Sequence, residues 1–127
     1  VIYPAGPFDK DGIKALSALF KDACGANGAD VIYDAVGGDY AEPALRAIAW
    51  EGRFLVVGFP AGIPRIPLNL PLLKNCQIVG IFWGAWTERD PAANQQNNRE
   101  LVEFYRQGKI KPYVSGRYPL AKAGQAI

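Results

Sequence analysis

Ala29-Asp30-Val31-Ile32-Tyr33-Asp34-Ala35-Val36-Gly37-Gly38 decides how this chain folds. Its first part sets β-branched and aromatic side chains in a run without strict alternation, which predicts a strand covered on both faces. Gly37-Gly38 then breaks the strand. Upstream, Asp9 or Asp11 is placed to cap a helix whose apolar residues Ile13, Leu16, Leu19, Phe20 and Ala23 recur at helical spacing, and Gly25 and Gly28 end it. A short extended piece, Val1-Ile2-Tyr3, precedes that helix. Downstream, Asp39 and Glu42 form a candidate capping box ahead of Leu45, Ile48 and Ala49, with Pro43 arguing for a slightly later start and Gly52 as the stop. Arg53-Phe54-Leu55-Val56-Val57 is the next buried strand, and Gly58-Phe59-Pro60-Ala61-Gly62 turns out of it.

Beyond this β-α-β-α-β order, prolines 64, 67 and 71 make 63–75 an extended crossing with a single helical turn near 71–74. Residues 77–83 read as a strand, 84–96 as polar and irregular, and 99–107 as a helix stopped by Gly108. Residues 111–118 are a short strand or loop, and a helix begins after Pro119. Strands alternating with helices through short glycine-marked connections describe a parallel sheet with helices on its faces, because parallel neighbours need a right-handed crossover. The expected class is α/β.

Composition bounds the function. A chain of 127 residues, half of them apolar, suits one core and one domain spanning 1–127. A net charge of +2 is too balanced for the basic footprint that nucleic acid requires, so a small molecule is the expected partner. The sequence has no Met, which suggests an interior stretch of a longer reading frame. It has no His, which removes Ser-His-Asp and Cys-His catalysis and the commonest zinc ligand, and no metal site is expected. Cys24 and Cys76 form no CxxC pair or disulfide framework and suit a reducing compartment. The longest apolar run, 78–85, is too short for a membrane helix and no signal-peptide pattern opens the chain, so a cytoplasmic address is expected.

In open parallel sheets, ligands lie beyond the carboxyl ends of the strands. Three exits combine small residues with bulky apolar ones: Ala35-Val36-Gly37-Gly38, Gly58-Phe59-Pro60-Ala61-Gly62 and Trp83-Gly84-Ala85-Trp86. Small residues let a planar ligand approach the backbone and aromatic ones wall its faces. Each has a plainer reading, since Gly-Gly suits any strand-to-helix turn and tryptophans suit cores and subunit contacts. Their common placement on one edge favours a flat heterocycle. Asp30 and Asp34 share a strand face but sit at its two ends, too far apart for a carboxylate pair, and no catalytic residue is assigned. Neither GxGxxG nor a GxxxxGK[ST] phosphate loop occurs.

The string 28–38, then Ala44-Leu45-Arg46, then Gly52-Arg53-Phe54-Leu55-Val56-Val57-Gly58-Phe59 resembles the medium-chain dehydrogenase/reductase superfamily, of the zinc-independent NADPH:quinone oxidoreductase type. Asn69-Leu70-Pro71-Leu72-Leu73-Lys74-Asn75, Ile78-Val79-Gly80-Ile81-Phe82-Trp83-Gly84 and Gly108-Lys109-Ile110-Lys111-Pro112 are similar to it in order and spacing. The resemblance implies part of a Rossmann-type cofactor domain, with 1–3, 30–34, 53–57 and 77–82 as its strands 3, 4, 5 and 6. Strands 1 and 2 and the glycine-rich loop would be lacking. It also implies that Gly38, Val56, Val57, Gly58, Phe59, Ile81, Phe82 and Trp83 contact NADPH, which passes hydride to a quinone or activated alkene. A homodimer through 77–83 is implied as well, and the bared edge of 30–34 is expected to invite association. A non-catalytic interaction module derived from a dehydrogenase, and a zinc-dependent alcohol dehydrogenase, are the alternative readings.

Overall fold

The computed structural model describes residues 8–126, so the extended piece expected at Val1-Ile2-Tyr3 lies outside the described residues. The chain divides into two compact units between Trp83 and Gly84.

The first unit opens with α1, Lys10–Cys24, whose N-cap is Asp9: its side chain accepts the Gly12 N–H at 2.8 Å. Capping here satisfies an amide that the first helical turn leaves without a partner. Of the helical-period residues Leu16 is buried, whereas Leu19 is about half exposed. Next comes β1, Ala29–Asp34, where a strand is expected, but not covered on both faces: Val31 and Tyr33 leave one face exposed in this chain. A single 3-10 turn, Gly38–Tyr40, leads into α2, Ala41–Arg46. The expected capping box does not form. Tyr40 stands at the N-cap position and makes no side-chain capping bond, Asp39 instead accepts from the Phe8 N–H, and Glu42 pairs with Arg46 at 2.6 Å.

α2 stops well short of Gly52. Ile48 and Ala49 are buried as their spacing suggested, but in β2, Ile48–Val56, rather than on a helix. Their periodicity reports burial, which strand and helix produce alike over so short a stretch. Pairing with β1 passes from Ala29↔Ile48 to Val31↔Arg53, and the extra β2 residues bulge there. Gly52 belongs to this bulge: a Cβ on it would lie 2.6 Å from Ile48 Cγ1. The proline-bearing crossing carries α3, Asn69–Lys74, and then β3, Gln77–Gly80, shorter than the expected strand.

The sheet is parallel in the order β1-β2-β3, with Asp34, Val56 and Gly80 level at its carboxyl end. Ile32, Phe54 and Ile78 are register partners and so share a face. Phe54 there meets Ala41 and Leu45 of α2, Leu70 of α3 and Ile48, all buried, which places the core between that face and the two helices. The class is α/β, as expected.

In the second unit, residues read as irregular are helical. α4, Trp83–Arg89, is followed by α5, Pro91–Arg106, and a 3-10 segment, Leu120–Gln125. Asp90 caps α5 by accepting the Ala93 N–H at 3.0 Å, and Pro91 occupies the first helical turn, where no amide is needed. Among the described residues no helix is long and apolar enough to cross a membrane.

Candidate functional site

Parallel pairing brings the exits of β1, β2 and β3 to one end of the sheet, and backbone hydrogen bonds join them. Val57 N–H donates to the Asp34 carbonyl at 2.9 Å and Gly58 N–H to the same oxygen at 3.4 Å. Ile81 N–H donates to the Val56 carbonyl at 2.9 Å. Past the strand ends, Gly38 N–H reaches the Gly62 carbonyl at 2.7 Å and Ala61 N–H the Val36 carbonyl at 3.0 Å. The turn after β1 and the turn after β2 are therefore zipped together.

The zipper explains the glycines. Gly37 and Gly38 have φ of +70° and +55°. A Cβ on Gly37 would lie 2.8 Å from the Gly62 oxygen and 3.2 Å from Phe59 Cα and Cδ1, and one on Gly38 would collide with the Ala61 carbonyl oxygen. Backbone meets backbone here, so only glycine fits.

Of the sequence-predicted contact residues, Gly38 and the stretch Val56, Val57, Gly58, Phe59 are gathered by these bonds, and Ile81 is tied to Val56. Phe82 and Trp83 follow directly, 80% and 61% exposed, while Phe59 is 46% exposed. The third exit differs from the loop expected of it: Trp83, Gly84, Ala85 and Trp86 form the first turn of α4. A Cβ on Gly80 would meet nothing within 4 Å, so that glycine leaves open space, whereas one on Gly58 would make ordinary contacts with the Ala35 oxygen at 3.6 Å and Pro60 Cδ at 3.9 Å. Exposed aromatic faces beside small residues suit a flat ring that is held largely by main-chain groups.

Sequence reasoning placed Ala61 and Gly62 in the second exit without finding their partners, and it gave Asp34 no role there. Ala61 and Gly62 supply the backbone groups that Gly38 and Val36 bind, a long-range pairing with no local signal. Asp34, considered only as half of a carboxylate pair, receives the Val36 and Gly37 amides on Oδ1 at 3.0 and 2.9 Å. An aspartate followed within three residues by Gly-Gly carries the signature of such a turn. Two cavities adjoin. One of about 290 Å³ is lined by Gly38, Asp39, Glu42, Pro64 and Arg65. A mostly apolar one of about 430 Å³, between α1 and β1, is lined by Phe20, Cys24, Ile32, Tyr33 and Asp34.

Comparison with known proteins shows the family and the fold. The family model described as zinc-binding dehydrogenase matches residues 11–127. A quinone oxidoreductase-like protein 2 homolog of Nematostella vectensis is 42% identical over 109 residues, 84% of this chain and 30% of that protein. The quinone oxidoreductase-like protein 2 of Rattus norvegicus is 35% identical over 123 residues, 93% of this chain and 35% of that protein. The chain thus spans about a third of the length of these curated relatives. Among solved structures, a mycobacterial protein complexed with NADPH superposes with a TM-score of 0.73 at 22% identity, over 99% of this chain and 38% of that one. The fold is of the Rossmann type found in such cofactor domains.

The family description raises the question of zinc. Among the described residues no three His, Cys, Asp or Glu side chains gather where they could hold a metal ion. Cys24 is exposed on α1 and Cys76 half-buried ahead of β3. These residues do not fit a zinc site.

Proposed function

The chain belongs to the zinc-binding dehydrogenase family of the medium-chain dehydrogenase/reductase superfamily, and from that premise we propose that it forms the nicotinamide-side wall of an oxidoreductase's NADPH cleft. On this reading, 1–127 is part of a nucleotide-binding domain, the reaction carries hydride to a quinone or to an activated alkene such as an enal, enone or enoyl thioester, and no zinc is used. The observation that carries it is the hydrogen-bonded convergence of three strand exits bearing exposed Phe59, Phe82 and Trp83.

NADPH, when bound, supplies the hydride; the protein's share is orientation and exclusion of water. The open space at Gly80 admits a flat ring close to the main chain, and Gly38 with residues 56–59 sets the floor beneath it. Phe59 and Trp83 contribute apolar faces that keep water from the ring, and Ile81 and Phe82 extend that wall along the exit of β3. The likeness to quinone oxidoreductase-like relatives and to a mycobacterial protein complexed with NADPH supports this reading. A cytoplasmic setting and a homodimer through the edge at 77–83 complete it.

The test uses the full-length protein that carries this chain. NADPH titration followed by fluorescence should show weaker binding for Phe59→Ala and for Trp83→Ala. NADPH oxidation is then screened against a quinone, an enal and an enoyl thioester. Unchanged cofactor affinity in both variants overturns the assignment, and NADPH binding without turnover of any of the three points to the non-catalytic module.

A further inference from the structure

We propose that Asp34 is the positioning residue of this rim, the single group that fixes the Gly37-Gly38 turn and the Phe59 corner in one frame. The proposal rests on the reading of the rim as a cofactor wall. Asp34 ends β1 and is 7% exposed. Its Oδ1 accepts the Val36 and Gly37 amides at 3.0 and 2.9 Å, while its main-chain oxygen accepts the Val57 and Gly58 amides at 2.9 and 3.4 Å. One residue thus collects two N–H groups from each of the two turns.

The side-chain bonds are the ones a substitution can remove. A carboxylate acceptor makes charge-assisted bonds, which are stronger than neutral ones. They hold Gly37 where its missing Cβ leaves room for Phe59, 3.2 Å from the position that atom would take. From there the Gly38–Gly62 and Ala61–Val36 bonds close the zipper. Asp34 therefore acts through Gly38 and Phe59 rather than on the reacting atoms. Its second oxygen, Oδ2, is buried and has no hydrogen-bond partner among the described residues. Positioning therefore needs only one acceptor, which an asparagine also provides.

In the full-length protein, Asp34→Ala, Asp34→Asn and Asp34→Ser are compared at a temperature where circular dichroism shows each folded. The readouts are NADPH affinity and amide hydrogen exchange at Val36, Gly37, Gly38 and Ala61. Losing both amide bonds to the Asp34 carboxylate should weaken NADPH binding by about tenfold or more in Asp34→Ala. Exchange should quicken at Gly38 and Ala61, whose amides bond to Gly62 and Val36 and not to Asp34, and Asp34→Asn, a neutral acceptor, should restore most of both readouts. If Asp34→Ala does not fold, Asp34→Ser, with an acceptor for one amide, should fall between wild type and that loss. A folded Asp34→Ala or Asp34→Ser with wild-type affinity and unchanged exchange overturns the proposal, as does Asp34→Asn failing as badly as either. A wild-type protein that ignores NADPH removes the cofactor reading alone, because the exchange arm still decides whether Asp34 positions the turns.

Discussion

Replacing Gly38 with alanine tests the loop zipper directly. Its φ of +55° is left-handed, which costs an alanine roughly 1–2 kcal/mol. The new Cβ would also collide with the Ala61 carbonyl oxygen and lie 3.0 Å from the Ala61 carbonyl carbon and Cβ. If the loops stay closed, overpacking adds about 1–3 kcal/mol. If they part, the Gly38–Gly62 and Ala61–Val36 bonds are lost at about 1 kcal/mol each. Either route brings the total to about 3 kcal/mol, a large share of an ordinary domain's 5–15 kcal/mol, roughly stated. Gly25→Ala is the comparison. Gly25 has φ +74° and ψ −174° with nothing within 4 Å of a Cβ, so it carries backbone strain without contact. That backbone region is nearly glycine-only, which biases the comparison against the expected result. Urea unfolding should show Gly38→Ala losing clearly more stability than Gly25→Ala, together with weaker NADPH binding. A Gly38→Ala loss no larger than about 1–2 kcal/mol, the left-handed strain alone, would refute the close approach of the loops.

Two further expectations concern the sheet. Glu51 sits at φ 59° in the β2 bulge, and its carboxylate accepts an exposed bond from Asn75 at 3.2 Å. Glu51→Val, with a β-branched side chain in a left-handed position, should be less stable than Glu51→Gly by more than about 1 kcal/mol in thermal unfolding; the reverse order would mean the bulge is absent. If two copies pair through the edge strand β3 as proposed, Ile78→Lys should weaken the dimer in sedimentation, and because Ile78 shares the face of Phe54, unfolding of the variant is measured alongside. A dimer that survives this change uses some other surface.

The elements that were legible were those whose signal is local. The run at 29–34 gave β1 because no polar alternation interrupts it, and Asp9 gave the start of α1 because a cap needs only its own turn. The errors arose where tertiary pairing outvoted local pattern. Ile48 and Ala49 fit a helical face, yet the register with Ala29 claims them for β2. The start of α5 was missed for a different reason: Asp90-Pro91 is a helix-start pair, and the polar sequence after it hides the helix, since α5 buries none of its residues. At the site, the exits could be read because strand ends follow from strands, but the partners of Gly38 lie more than twenty residues away and no spacing rule finds them.

That distinction bears on what the glycines mean. Gly37-Gly38 could mark either a turn or a ligand, and the structure gives a sufficient reason of the first kind: Ala61, Gly62 and Phe59 occupy the space that side chains would need. Glycine at these positions therefore says nothing by itself about a nucleotide. Gly80, where a Cβ meets nothing, and Phe59, Phe82 and Trp83, which leave much of their surface open beside it in sequence or across the sheet end, have no such internal reason. A fold gains little by exposing large aromatic groups at the carboxyl end of a parallel sheet, whereas a cleft that must exclude water around a flat ring gains directly. The case for a cofactor wall thus rests on residues that packing leaves unexplained, and the glycines enter it only by holding those residues in place.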